Sequence, residues 1–281
     1  MRTAVIGARG QLGSAVVVAC AARFDVVPLD RAALDITDAE AVERVLIACR
    51  PDVIINCAGY NAVDAAESHP VDALQANAFA VRSLARVART LDATLVQFSS
   101  DFVFDGTAAQ PMDESVAPKP RSAYAASKLL GEWFAADAPR SYVLRVESLF
   151  DAGPGGPDKG SLASIVAGLR AGHTVPVFAD RTVSPTHVGD AAAAVLALIE
   201  RGAEAGVYHL VNSGCATWKE VAEEAARRLG VVPNLNVLSL ADVSLPAARP
   251  QYCAMSNAKL CAAIGYTLPT WQDALGRYLH R

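Results

Sequence analysis

Apolar positions come in short runs, each followed by a stretch with helical spacing. Met1 to Gly7 reads as a strand ending on glycine, Ala15 to Ala22 as the helix behind it, and Asp25 to Leu29 as a second strand. Thr37 and Glu40 stand at capping-box spacing, so a helix is expected from Thr37 to about Cys49. Pro51 to Gly59 reads as a third strand and Val71 to Leu91 as one long helix, inside which Asn77 is expected to be solvated or bonded back to its own backbone. Thr94 to Asp101 is a fourth strand, Ser122 to Asp137 a helix, and Ser141 to Val146 a fifth strand. This alternation predicts the α/β class: a doubly wound parallel sheet, the Rossmann arrangement.

The pattern changes after residue 150. Asp151 to Gly160 is rich in glycine and proline and reads as a flexible loop able to act as a lid. Beyond it the spacing predicts helices over Leu162 to Ala171 and Val188 to Arg201, with a loop from Phe178 to His187 between them. It then predicts a strand over Val207 to Val211, a helix capped by Thr217 and Glu220, and two short helices at the end. The expected organisation is a dinucleotide-binding domain over 1–150, with 186–212 returning to it. Residues 151–185 and 213–281 would form a smaller C-terminal substrate lobe. Trp133, Trp218 and Trp271 read as packing residues, His187 and His209 as structural, and Asp190 as part of a helix start. Arg249 reads either as a phosphate contact or as half of a surface ion pair.

Composition narrows the function classes. The 281 residues are 52% hydrophobic and 19% charged, with a net charge of -4, which describes a globular chain with a large core. Without a lysine/arginine cluster, nucleic acid is excluded as a partner. No apolar run approaches ~20 residues, so no membrane span is expected. A strand pattern begins at the first residue, with no signal peptide before it. The six cysteines have no metal-ligand or CxxC spacing and read as free thiols in a reducing compartment, so the expected location is cytoplasmic.

Candidate chemistry sits where strands end. Gly7, Gly10 and Gly13, with Arg9, Gln11 and Leu12 among them, join the first strand to the first helix. Glycines there let backbone N–H groups approach a pyrophosphate. Asp30 ends the second strand, where an acid would hold a ribose 2′-hydroxyl; Arg9 and Arg31 would instead pair with a 2′-phosphate. The arginines favour NADP(H), and NAD(H) stays open. Asp35 and Ile36 lie where an adenine edge would be met, and Ala58 and Gly59 give a flat cofactor room against the backbone. Ser100 and Asp101 close the fourth strand. Tyr124 and Lys128, four apart, share one helix face. An ammonium beside the phenol is expected to lower its pKa and make it an acid–base group for a carbonyl oxygen.

Taken together, the glycine loop, Asn56-Cys57-Ala58-Gly59, Ser99-Ser100-Asp101 and Tyr124-x-x-x-Lys128 resemble the extended short-chain dehydrogenase/reductase family. Within it the chain is most similar to dTDP-4-dehydrorhamnose reductases, on short matches over nearly its whole length. These include Ser100 to Gly106, Ser127 to Glu132, Gly206 to Val211, Ala248 to Pro250 and Leu268 to Trp271. The resemblance implies hydride transfer from NAD(P)H to the C4 keto group of a nucleotide-linked 4-keto-6-deoxyhexose. It implies Ser100, Tyr124 and Lys128 as catalytic residues and Asp101 beside the sugar. Gly10, Gln11, Leu12, Asp30, Asp35, Ile36, Gly59, Tyr60 and Asn61 would line the dinucleotide. Two positions depart from the family. Val146-Glu147-Ser148 stands where a Thr-Ser-Trp run supplies a tryptophan against the sugar, and Ser14-Ala15 lacks the acid of an interface metal site, so no metal is expected. Two other readings are a non-catalytic NADP-binding subunit resembling the methionine adenosyltransferase β-subunit, and a reductase or epimerase of another nucleotide sugar. The chain would act as a monomer or homodimer.

Overall fold

A computed structural model describes residues 1–280. Strand β1 (Arg2–Ile6) leads into helix α1 (Gln11–Ala21), then β2 (Asp25–Leu29), α2 (Ala39–Cys49) and β3 (Val53–Asn56). Two short helices, α3 (Ala65–Ser68) and α4 (Pro70–Leu74), run through a π-turn at Gln75–Phe79 into α5 (Ala80–Leu91). Next come β4 (Thr94–Ser100), α6 (Ala123–Ala135) and β5 (Arg140–Val146). The remainder holds β6 (Leu149–Phe150), α7 (Ser161–Arg170), β7 (Val175–Phe178), β8 (Thr182–Val183), β9 (Thr186–His187), α8 (Val188–Arg201) and β10 (Gly206–His209). It ends with β11 (Ala216–Thr217), α9 (Trp218–Leu229), β12 (Leu235–Leu238), α10 (Ala258–Ile264) and α11 (Trp271–Leu279).

Six strands form one parallel sheet in the order β10-β5-β4-β3-β1-β2. Parallel strands need covering on both faces, which is why β3 and β4 read as unbroken apolar runs. On one face α1, α8 and α10 pack Val16, Val195 and Leu260 against Val5, Ile55 and Leu144. On the other, α2, α5 and α6 pack Leu46, Leu84 and Ala135 against Ile6, Ile54 and Leu95. A separate core of Ile165, Val177, Val221 and Leu275 holds α7, α9 and α11 together beside the carboxyl ends of the strands. The strand order reverses between β1 and β3, and ligands bind above such a switch. Among the described residues no helix is long and apolar enough to cross a membrane.

Local structure departs from the sequence expectations at several points. The cap of α2 is Asp38, which accepts from Ala41 N–H; the Thr37 hydroxyl instead donates to Asp35 at 2.7 Å. The helix expected over Val71 to Leu91 begins at Pro70 and is broken by the π-turn that carries Asn77. Asn77 is 2% exposed, not solvated. Strands β7 and β12 pair in parallel, a ladder too short, and in β7 interrupted by Pro176, to leave a periodic signal. Trp133 is 64% exposed, whereas Trp218 and Trp271 are buried. The start of α8 is capped by the ring of His187, whose Nδ1 accepts from Gly189 and Asp190 N–H. Asp190 turns its carboxylate to Asn212 and Arg277.

Candidate active site

The glycine loop is closed on itself. Gly7 sits at φ +74°, Gly10 N–H donates to Gly7 O at 2.9 Å, and a Cβ at Gly13 would lie 2.1 Å from the Gly7 oxygen. Only glycine tolerates those contacts. Gly10 caps α1 without a side-chain bond, so the first N–H groups of the helix are left for an anion. Two adjoining cavities lie beside this loop. The larger, ≈ 690 Å³, is lined by Gly7, Arg31, Asp35, Ile36, Gly59 and Tyr60, with Ala58 among its other walls. The second, ≈ 360 Å³, is lined by Gly10, Gln11, Leu12, Asn61 and the candidate catalytic and substrate residues Ser100, Asp101, Tyr124 and Lys128. The uncapped helix start, the glycine contacts and these two cavities in series suit a dinucleotide whose pyrophosphate sits at the loop.

Three of the dinucleotide candidates line neither cavity. Gly13 is consumed by packing on Gly7. Asp30 accepts from Ala32 and Ala33 N–H and pairs with Arg9 at 2.9 Å, so its carboxylate is already engaged. Arg9 is correspondingly held by Asp30, while Arg31 stands exposed, 3.9 Å from Asp35.

Asn77 is the residue that sequence reasoning missed on the cofactor side. Its amide donates to Tyr60 O and Ser127 Oγ, both at 3.0 Å, and its oxygen accepts from Tyr60 N–H at 2.9 Å. It therefore pins the end of the β3 loop to the helix that carries Tyr124 and Lys128. A Cβ at Gly59 would stand 2.9 Å from the Asn77 oxygen. Nothing local to Ala76-Asn77-Ala78 announces this, because the partners are 17 and 50 residues away.

Ser100, Tyr124 and Lys128 line the same cavity. Tyr124 is buried, with Phe102 edge-on to its ring at 5.5 Å between centroids. Ser100 Oγ donates to Asp101 Oδ1 at 2.8 Å and accepts from Phe102 N–H at 3.2 Å. Lys128 Nζ donates to Phe98 O at 2.7 Å. The expectation that the ammonium lowers the phenol pKa is not met. Burial pushes Tyr124 above its ordinary value, with Asp101 adding to the rise, and the Ser100 hydrogen bond offsets only part of it. Burial also lowers Lys128 to about 8, against the upward pull of Glu132. Desolvation outweighs the pairwise attraction because both groups are enclosed.

Further side chains surround this centre, among them Arg181, to which the sequence attached no role. Arg181 and Arg249 stand over Phe102 at 5.5 and 5.6 Å. Arg249 pairs with Asp64 at 2.8 Å, the ion-pair alternative of the sequence reading. Ser148 has φ +46° and lines the cavity beside Glu147. The 151–160 segment is tied down: Gln11 Nε2 donates to the carbonyls of Asp151 and Lys159 at 2.8 and 3.0 Å.

Comparison with known proteins agrees with this geometry. The chain is 34% identical over 282 residues to dTDP-4-dehydrorhamnose reductase of Streptomyces griseus, covering 98% of this chain and 91% of that one. It is 35% identical over 286 residues to the protein of the same name from Mycobacterium tuberculosis, covering 99% and 92%. Its fold matches a dTDP-4-dehydrorhamnose reductase from Clostridium acetobutylicum with TM-score 0.93 at 30% identity, covering 100% of this chain and 99% of that one. The Bacillus anthracis reductase, solved in complex with NADP, matches at TM-score 0.92 and 30% identity, covering 99% and 98%. The profile described as RmlD substrate binding domain matches residues 1–281, and the chain belongs to that family.

Proposed function

We propose that this protein is an NADPH-dependent reductase acting on the C4 keto group of a nucleotide-linked 4-keto-6-deoxyhexose, as in dTDP-L-rhamnose formation. The observation that carries the reading is the convergence of Ser100, Tyr124 and Lys128 on a cavity continuous with the glycine loop. The nicotinamide, when bound, supplies hydride to the carbonyl carbon. Tyr124 gives its proton to the developing alkoxide, and its raised pKa suits this direction, since the phenol stays loaded at neutral pH. Ser100 supplies a second donor at the same oxygen. Lys128 holds the nicotinamide ribose, and Asn77 keeps Tyr60 and the Tyr124 helix in register. Asp101 lies on the sugar side.

The test is a panel of nucleotide-linked keto-sugars, including dTDP-4-keto-6-deoxy-L-mannose, with NADPH or NADH consumption read by absorbance. Measurable cofactor binding without turnover on any of them would refute the reductase reading. Glu147 and Ser148, in place of an aromatic surface, favour a second reading within the same chemistry: a different 4-keto sugar. A relative from Streptomyces antibioticus, 34% identical over 279 residues, is named a probable 4-ketoreductase of dTDP-4,6-dihydroxy-2-methyloxan-3-one.

A further inference from the structure

Tyr124 is the second residue of α6, on the turn where a helix leaves its own N–H groups without intrahelical partners. How firmly that turn is held therefore decides how firmly the phenol is held. Ser122 supplies one hold, its Oγ accepting from Ala125 N–H at 3.2 Å. The second hold comes from another element. Glu67, in the short helix α3, lies 56 residues earlier in the chain, and its Oε1 accepts from Ala123 N–H at 2.8 Å. A carboxylate at that place also faces the positive end of the helix dipole, which strengthens the bond.

The other end of α3 is anchored in turn. Arg249 donates to Asp64 Oδ2 at 2.8 Å, and Ala247 N–H donates to Asp64 Oδ1 at 3.2 Å. The Arg249 guanidinium stands 5.6 Å from the centre of the Phe102 ring, which is itself edge-on to Tyr124. Between the two carboxylates, Ala66 of α3 shares a buried apolar cluster with Ala73 and Tyr124. The contacts thus close a circuit that runs from Tyr124 through Phe102, Arg249, Asp64 and Glu67 and returns by way of Ala123. The cofactor wall does not depend on this circuit, because Tyr60 is held separately by Asn77.

We propose that Glu67 is a positioning residue for ketone reduction: through Ala123 it fixes the first turn of α6 and with it the Tyr124 phenol, while Asp64 and Arg249 anchor α3 behind it. The inference rests on the reductase reading. Glu67 lines neither of the two cavities, so it acts on the reaction only through the backbone of α6. Glu67 is exposed, so without its carboxylate water takes the Ala123 amide and the first turn frays. The phenol then spends less time within hydrogen-bond reach of the substrate oxygen. Proton transfer needs that reach, whereas binding of the sugar and the dinucleotide does not. The loss therefore falls on kcat and spares KM.

Glu67→Ala tests this. The expected result is a kcat lower by about 10-fold, with KM for the sugar and NADPH affinity within about 2-fold of wild type. Glu67→Gln keeps an acceptor oxygen for Ala123 and should hold kcat within about 2-fold of wild type. Asp64→Ala releases the anchor and should lower kcat to a similar extent. Combining it with Glu67→Ala should cost no more than the worse single change, because residues acting as one unit are not additive. Unchanged kcat in Glu67→Ala, a loss confined to KM, a glutamine variant as slow as the alanine one, or losses that multiply in the double variant overturn the proposal. Hydrogen exchange of the unliganded protein, read by mass spectrometry, follows the turn without turnover. Exchange over residues 122–126 should rise by roughly 5-fold or more in Glu67→Ala and not in Glu67→Gln, with β4 unchanged in both. No rise, or an equal rise in β4, overturns the proposal. Wild type inactive on every keto-sugar refutes the reductase reading instead, and the exchange result still decides whether Glu67 holds the turn.

Discussion

Replacing Lys128 by methionine tests how the site is assembled, because the lysine is enclosed and works against its own desolvation. Its pKa is lowered from 10.5 to about 8, chiefly by burial. A lysine held below its unfolded pKa binds fewer protons folded than unfolded, so stability rises with pH through that interval. The 2.5-unit gap corresponds to a cost of about 3 kcal/mol at pH 7, at ~1.4 kcal/mol per unit. Between pH 7 and pH 9.5 roughly 2 kcal/mol of this is relieved as the folded lysine loses its proton. Methionine fills the same volume without the charge, but gives up the bond to Phe98 O, worth about 1.5 kcal/mol or somewhat more. The unliganded variant should therefore be more stable than wild type at pH 7 by about 1 kcal/mol, and less stable near pH 9.5. Urea unfolding at the two pH values measures this, with turnover in the same preparations expected to fall sharply. Parallel pH dependence in the two proteins would refute the reasoning, as would a destabilised variant at pH 7.

Tyr124→Phe removes the proposed proton donor and should lower kcat by ~10²- to 10⁴-fold, while fluorescence titration finds NADPH affinity within about 2-fold of wild type. Arg31→Ala removes the exposed cation at the edge of the larger cavity and should weaken NADPH by roughly 10-fold, leaving NADH nearly unchanged; an equal effect on both cofactors would place Arg31 outside 2′-phosphate recognition. Asn77→Ala strands the Tyr60 amide and carbonyl and removes one donor to the Ser127 hydroxyl, which keeps its bond to Tyr124 O, so unfolding should cost about 2–4 kcal/mol less, with weaker cofactor binding; an unchanged midpoint would show the three bonds to be replaceable.

The elements were legible where one local cause dominates. Apolar runs ending in glycine marked β1 and β3, and the Thr217–Glu220 pair marked the start of α9, where both halves of the capping box form. Tyr124 and Lys128 were legible because helical spacing alone puts them on one face. What stayed hidden depends on partners distant in sequence. Asn77 looks like a surface residue until Tyr60 and Ser127 arrive beside it. Arg181 sits in a loop with no periodicity, and it acquires meaning when β4 and β5 bring Asp101 and Glu147 to it. The sign of the Tyr124 shift could not be read from spacing either, because enclosure, a property of the whole fold, sets it.

Strand β10 follows α7 and the short strands β7, β8 and β9 in sequence, yet it flanks β5 in the central sheet. During synthesis, β5 is finished about sixty residues before its neighbour exists. At ~5–20 residues per second the unpaired flank of β5 waits several seconds, with Tyr142 and Leu144 lacking Tyr208 and Leu210. A fragment ending near residue 150 keeps that flank permanently and should self-associate through it. The sheet and the segment that interrupts it are thus tied to a common folding event, and a ribosome stalled between them would present a sticky edge to chaperones.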